Sequence, residues 1–193
     1  MYELIILSIL MMGGPFHGYL MAKIINDVIG PFAKASTGRI YPLLSQLEAG
    51  GLVVGAEETV GGRVHRVFRI TDVGRKRFRQ LMLDTASNPK GYQELFRYKV
   101  TAMQYLEPEE RLYLFDHYIS YCQAHIMHLT GEVKEYYQHP EYYTAWSPAQ
   151  VESFLGVMRH VIRTWELEAE WAREMRAKVA EDEPEQEVGP CRT

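Results

Sequence analysis

The stretch Ser36 to Val53, STGRIYPLLSQLEAGGLV, decides how the rest of the chain is read. Ile40, Leu43, Leu44 and Leu47 recur at helical spacing, so one face of a short helix is apolar. Ser36 or Thr37 can cap the orphan N–H groups at its start, and Gly50-Gly51 ends it just before a β-branched run. The head of this helix, Ser36, Thr37, Gly38 and Arg39, is polar and faces away from the apolar stripe. Such a head is either a simple cap or a surface pressed against something outside the protein. Pro42 costs a hydrogen bond inside a helix, so one arrangement starts the regular helix at about Tyr41, with Ser36 to Ile40 as a tighter lead-in turn. Either start leaves the polar head facing out.

The neighbours on both sides narrow the choice. Residues 2 to 12 read as a helix apolar on nearly all sides, stopped by Gly13-Gly14-Pro15, and HGYLMAKIINDVIG reads as a second, stopped by Gly30-Pro31. Downstream, Leu52 to Glu58 and Val64 to Thr71 are partly alternating strands joined at Gly61-Gly62, a hairpin carrying Arg63, His65, Arg66 and Arg69. A helix over DVGRKRFRQLML follows, with Arg75, Lys76, Arg77 and Arg79 on exposed turns, and ASNPKG marks a boundary near residue 88. Three helices and a basic hairpin are the layout of a winged helix-turn-helix. There the third helix enters the major groove head first and the hairpin reaches along the backbone. Arg39 can fork onto guanine acceptors, Ser36 and Thr37 can bond phosphate or base, and Gly38 allows close approach.

Charge supports a division of labour. The formal net charge of the 193 residues is -4, but residues 1 to 90 hold 11 Lys+Arg against 7 Asp+Glu, and the remainder 10 against 18. A mildly basic front and an acidic back are expected when only one part meets a polyanion. Cys122 and Cys191 are too few for a disulfide framework, which favours a reducing compartment. LIILSILMM lacks the leading positive charges and cleavage site of a signal peptide and is about half the length that spans a bilayer, so it reads as a buried helix of a cytoplasmic protein with no membrane partner.

The second half is helical. A helix around Tyr92 to Tyr105 precedes a long one opened by Pro108, whose apolar positions run from Leu112 through Phe115, Ile119 and Cys122 to Tyr136 at alternating spacings of 3 and 4. SPAQ, Ser147 to Gln150, is a capping box for another. That helix carries Phe154, Met158, Val161, Trp165, Ala172 and Met175 on the same heptad-like rhythm, the mark of coiled-coil packing. At about thirty residues it would be about 45 Å long, more than a small domain can hide, so a second copy of the chain is the expected partner of that seam. From Ala180 the composition turns acidic with Pro and Gly, as in a disordered tail.

GPFHGYLMAKII, then STGRIYPLLSQLEAGGLV, then GGRVHRVFRITDVGRKRF resemble the PadR family of bacterial transcriptional regulators. The resemblance covers residues 4 to about 80, with Phe68 and Ile70 replacing a usual Tyr and Leu on the same apolar strand face. The helical remainder is similar in layout to the family's larger class with a C-terminal dimerisation domain. The resemblance implies a mainly α protein with three parts. A winged helix-turn-helix DNA-binding domain occupies residues 1–88, and a helical dimerisation and ligand-sensing domain with a long coiled-coil-like C-terminal helix occupies residues 89–180. An acidic tail, residues 181–193, completes the chain. It further implies a homodimer on an inverted repeat of double-stranded DNA, acting as a repressor released by a small ligand. By that matching, DNA contact falls to Lys34, Ser36, Thr37, Arg39 and Tyr41, and wing contact to Gly62, Arg63, His65 and Arg66. Tyr92, Phe96 and Trp165 are the candidates for meeting a small aromatic ligand, and His17 reads as a residue fixing the turn between helices.

Other chemistries fit poorly. Cys122, His125 and His128 stand at i, i+3 and i+6 and fan around a helix, so no metal is expected there. A nucleophile elbow, a glycine-rich phosphate loop and an HExxH helix are missing from the sequence, so no enzyme and no cofactor are expected. The competing reading is a helical adaptor or ligand-sequestering protein that keeps the winged-helix fold without an operator.

Overall fold

The computed structural model describes residues 1–13, 16–29, 37–60 and 63–181. The chain divides into two compact units, Met1–Leu106 and Glu107–Thr193. It is mainly α-helical with one small antiparallel sheet.

In the first unit, α1 (Tyr2–Met11) supplies Ile5, Ile6, Leu7, Ile9 and Leu10 to the core, each at most 5% exposed. Side chains of this size contribute about 1.5–3 kcal/mol each when fully buried. Even Ser8 is buried on this helix, its hydroxyl donating to the Leu4 carbonyl at 2.8 Å. A two-residue strand β1 (Phe16–His17) leads directly into α2 (Gly18–Ile29), which buries Met21, Ala22 and Ile25. The third helix, α3 (Thr37–Ala49), is regular from Thr37, with Pro42 inside it rather than after a lead-in turn. The carbonyl that Pro42 leaves without a partner is that of exposed Gly38, where water can take the bond.

Gly51 ends α3 in the left-handed region, at φ +69°. The Gly51 N–H bonds the Glu48 carbonyl and the Leu52 N–H the Leu47 carbonyl, both at 2.9 Å, a glycine-terminated helix end. The chain then turns straight into β2 (Val53–Val60), which pairs with β3 (Arg63–Ile70) from Val53↔Ile70 to Val60↔Arg63. β1 adds on the other side of β3, giving the order β1-β3-β2. This third strand was not foreseen, because two residues carry no alternation that a sequence pattern can register.

Thr71 caps α4 (Asp72–Leu83), accepting from the Gly74 N–H at 3.0 Å. The first unit continues through α5 (Tyr92–Thr101) and a tight turn at Met103–Tyr105, ending later than the boundary expected near residue 88. The reason is burial: Tyr92, Phe96, Met103 and Leu106 are 0–5% exposed, and Tyr105 meets the edge of Phe78 at 6.2 Å. These residues complete the core of the preceding helices, and the ASNPKG stretch is a bend within it.

The second unit is a helical hairpin of α6 (Pro108–Gln138) and α7 (Pro148–Glu181). Glu107 and Glu110 form a capping box at the head of α6. The box foreseen at Ser147 and Gln150 forms, with the Ser147 N–H donating to Gln150 Oε1 at 2.8 Å and the Gln150 N–H to Ser147 Oγ at 3.4 Å. The helices run antiparallel, since Asp116 pairs with Arg176, Tyr118 with Glu168 and Tyr137 with Arg159. The seam of α7 therefore faces its own chain to a large extent. Trp165 stacks on His125, ring centroids 4.2 Å apart and 6° from parallel, and Ala169 and Ala172 are buried. The short connector lets α6 cover part of the seam for which a second copy of the chain was the expected partner. Phe154, Met158, Val161, Trp165 and Met175 remain half-buried, and Met127, Val157 and Leu167 are exposed. The expected acidic tail lies outside the described residues from 182 onward.

Candidate nucleic-acid interface

The two faces of α3 differ sharply. Ile40, Leu44 and Leu47 are at most 4% exposed, whereas Gly38, Tyr41, Pro42 and Ser45 are all exposed. Positions 38, 41, 42 and 45 fall on one stripe of a 3.6-residue helix, so a groove-sized face is free while the opposite one is locked into the core. Ser45 on that stripe escaped the sequence reading, which looked only at the head of the helix.

Tyr41 is 44% exposed and also packs inward. A Cβ on Gly18 would stand 2.7 Å from Tyr41 Cζ, so the first residue of α2 must be small for the Tyr41 ring to lie across it. The same corner carries His17, whose Nδ1 accepts the Leu20 N–H at 3.1 Å and so caps α2. The His17 ring stacks on His65 of β3 at 5.4 Å and on Tyr19 at 6.3 Å. His17 thus fixes the entry to α2, as expected, and also joins that turn to the hairpin. Tyr19 is 66% exposed beside it. Its place in the HGY triplet, next to the cap, is the sequence signal that sets Tyr19 apart from the buried positions of α2.

Arg66 and Arg69 of the hairpin are engaged within the unit. Arg66 Nη2 donates to both oxygens of Glu48, at 3.0 and 2.8 Å, and its guanidinium lies 5.8 Å from the centre of the Phe68 ring. Arg69, near the base of the hairpin rather than its tip, pairs with Glu58 at 2.5 Å. On α4, Arg77 forks onto Glu3 of α1 at 2.8 and 3.2 Å, and that hydrogen-bonded pairing raises its pKa. Lys34, Ser36 and Gly62 lie outside the described residues, as do the side chains of Thr37, Arg39 and Arg63.

The residues suggested for an aromatic ligand belong to different units. Tyr92 and Phe96 are 1% and 0% exposed in the core of the first unit, their rings 6.0 Å apart, while Trp165 belongs to the second. An open hollow of 440 Å³ lies elsewhere in the second unit, lined by Trp146, Ala149, Gln150, Ser153 and Phe154. Among the described residues no cluster of His, Cys, Asp and Glu could hold a metal ion, and no helix is long and apolar enough to cross a membrane.

A helix with a buried back and an open polar front, flanked by a β-hairpin packed on the same core, defines the winged helix-turn-helix class of DNA-binding domain. Residues 6–80 match the Transcriptional regulator PadR-like family. A 42-residue stretch is 48% identical to the transcriptional regulator Rv3488 of Mycobacterium tuberculosis, covering 22% of this chain and 39% of that protein. The chain thus matches about two fifths of that curated relative's length. Similar solved structures include Bacillus subtilis PadR in complex with operator DNA, at 18% identity and TM-score 0.41 over 92% of this chain and 96% of that one. The PadR-like transcriptional regulator BC1756 from Bacillus cereus is 21% identical, with TM-score 0.36 over 95% of this chain and 100% of that one.

Proposed function

We propose that this chain is a cytoplasmic repressor that binds an inverted repeat as a homodimer and is released by a small aromatic ligand. In this reading the first unit reads DNA through residues 1–88, and the helical hairpin of α6 and α7 dimerises and senses the ligand. The head of α3, with Thr37, Arg39 and Tyr41, enters the major groove, Lys34 and Ser36 being assigned to the same contact by their place in the sequence; Gly62, Arg63 and His65 are assigned to the backbone. The observation that carries the reading is the two-faced α3, whose core stripe is fully buried and whose opposite stripe is open. Exposed Tyr19 and Ser45 join the candidate contact surface.

Dimerisation draws support from what the helical hairpin leaves uncovered. Val157 and Leu167 on α7 and Met127 on α6 are 60–74% exposed, and Phe154, Met158, Val161 and Met175 are only half covered. Apolar area of this kind on a helical surface is the usual contact of an oligomer. A ligand can shift operator occupancy only by favouring one dimer geometry over another.

The test is titration of a duplex from the protein's own upstream region at several salt concentrations. Tight retention at low salt that falls steeply as salt rises is expected. Arg39→Ala is expected to lose about 1–3 kcal/mol of binding and to relax base preference at one position per half-site. Equal weakening on every sequence would reassign Arg39 to a phosphate, and no retention of any upstream fragment would overturn the reading.

A further inference from the structure

Glu48, one residue before the end of α3, reaches two other elements at once. Its Oε1 accepts the backbone N–H of Gly55 on β2 at 3.0 Å and the Arg66 Nη2 of β3 at 3.0 Å, while its Oε2 takes Arg66 Nη2 at 2.8 Å. Gly55 leaves room for this arrangement. A Cβ there would stand 2.7 Å from Glu48 Oε1 and 3.0 Å from Arg66 Nε. Phe68, two residues along β3, sits beneath the Arg66 guanidinium. One carboxylate thus ties the far end of α3 to both strands of the hairpin.

We propose that Glu48 and Arg66 are a positioning pair that sets the angle of the hairpin relative to α3, and that Arg66 makes no phosphate contact of its own. This rests on the DNA-reading function proposed above and assigns a role within it that motif matching gave differently. Two arguments carry it. Arg66 Nη2 already donates to both oxygens of a carboxylate, so the pair presents little net charge to a phosphate. Glu48 also holds a backbone amide, which an arginine waiting for DNA would not require. An exposed ion pair adds little to overall stability, so the variants should fold. Its effect is orientational: the hairpin must lie at one distance from the groove that α3 occupies.

The two roles predict opposite signs for Glu48. If Arg66 is a phosphate contact, removing Glu48 takes away a negative charge beside DNA and tightens binding. If the pair positions the hairpin, removing Glu48 weakens binding. The experiment compares Glu48→Ala, Arg66→Ala, the double variant and the charge swap Glu48→Arg with Arg66→Glu. Operator affinity is measured against salt, and amide exchange at Gly55 and along β2 is followed in the protein without DNA. Each single variant is expected to weaken binding about tenfold with the salt slope unchanged, the double variant to be no weaker than either, and the swap to recover part of the loss. Faster exchange at the Gly55 amide is expected in Glu48→Ala. Unchanged or tighter binding by Glu48→Ala, together with a salt slope lowered by about one in Arg66→Ala, would overturn the proposal. If the unaltered protein retains no duplex, the DNA reading fails on its own, while the exchange data still decide whether the clamp holds the hairpin.

Discussion

Among the described residues, Lys99 is the charged side chain with no exposed surface, and it shows how a local cost is met. Its ammonium donates to the Asp84 carbonyl and lies 5.6 Å from the centre of the Tyr92 ring, while burial pushes its pKa down to about 8. The unfolded chain holds that proton up to about 10.4. Between those values the unfolded state binds more protons than the folded one, so this group makes stability rise with pH from about 8 to about 10.4. Thermal melts across that window are expected to show the rise, and Lys99→Met to remove it; an identical profile in the variant would contradict the burial. Asp84 acts with the same sign at the acid end, though its shift comes from hydrogen bonds to the charged form and not from burial. Hydrogen bonds from Ser87 and Ala86 hold its carboxyl at about 2, so its contribution persists above about 4 and is lost as pH falls toward 2. None of this was legible in the sequence, where Lys99 sits in ELFRYKV like any amphipathic lysine. Its partner is a backbone carbonyl, which leaves no residue-type signature. The Arg66 to Glu48 pair was hidden in the same way, because a basic residue on a hairpin gives no sign of an acidic partner in another element.

The secondary structure was largely legible because its boundaries depend on residues with narrow chemistry. Gly50-Gly51 ends α3 through one left-handed glycine, Pro108 and the Ser147 to Gln150 box open the two long helices, and the hairpin falls between Val53 and Ile70. What escaped depends on packing: the two-residue β1, the regular start of α3 ahead of Pro42, and the self-covered seam of α7. The tightest junction lies between the hairpin and α4. A Cβ on Gly74 would stand 2.0 Å from the Leu52 carbonyl oxygen, which also accepts the Thr71 N–H at 3.1 Å. Gly74→Ala is therefore expected to destabilise by about 3 kcal/mol or more, read as a lowered urea midpoint with unchanged slope. A loss under about 0.5 kcal/mol would mean that the junction relaxes freely. At the head of α7, Ser147→Ala is expected to lose about 0.5–1 kcal/mol, and Gln150→Ala a similar amount, because the box is reciprocal. No change in either midpoint would show the box to be ornamental.

At the scale of the whole chain, the resemblance of residues 6–80 to the PadR-like family was readable from three short motifs, because caps, glycines and aromatics at fixed spacing leave a residue-type signature. The helical half was readable only as rhythm, since apolar heptads fit a neighbour in the same chain as well as one in another. Sedimentation is expected to give two chains per particle, with Val157→Asp and Leu167→Asp together shifting it toward one. An unshifted mass would move the contact elsewhere on the hairpin. The central claim, that two copies of α3 read successive major grooves head first, is tested most directly by guanine-methylation interference on a bound upstream duplex. The account predicts two symmetric clusters of interfering guanines about one helical turn apart, near 34 Å, with Arg39→Ala erasing one guanine from each cluster. A single unsymmetrical cluster, or interference that Arg39→Ala leaves untouched, would contradict it.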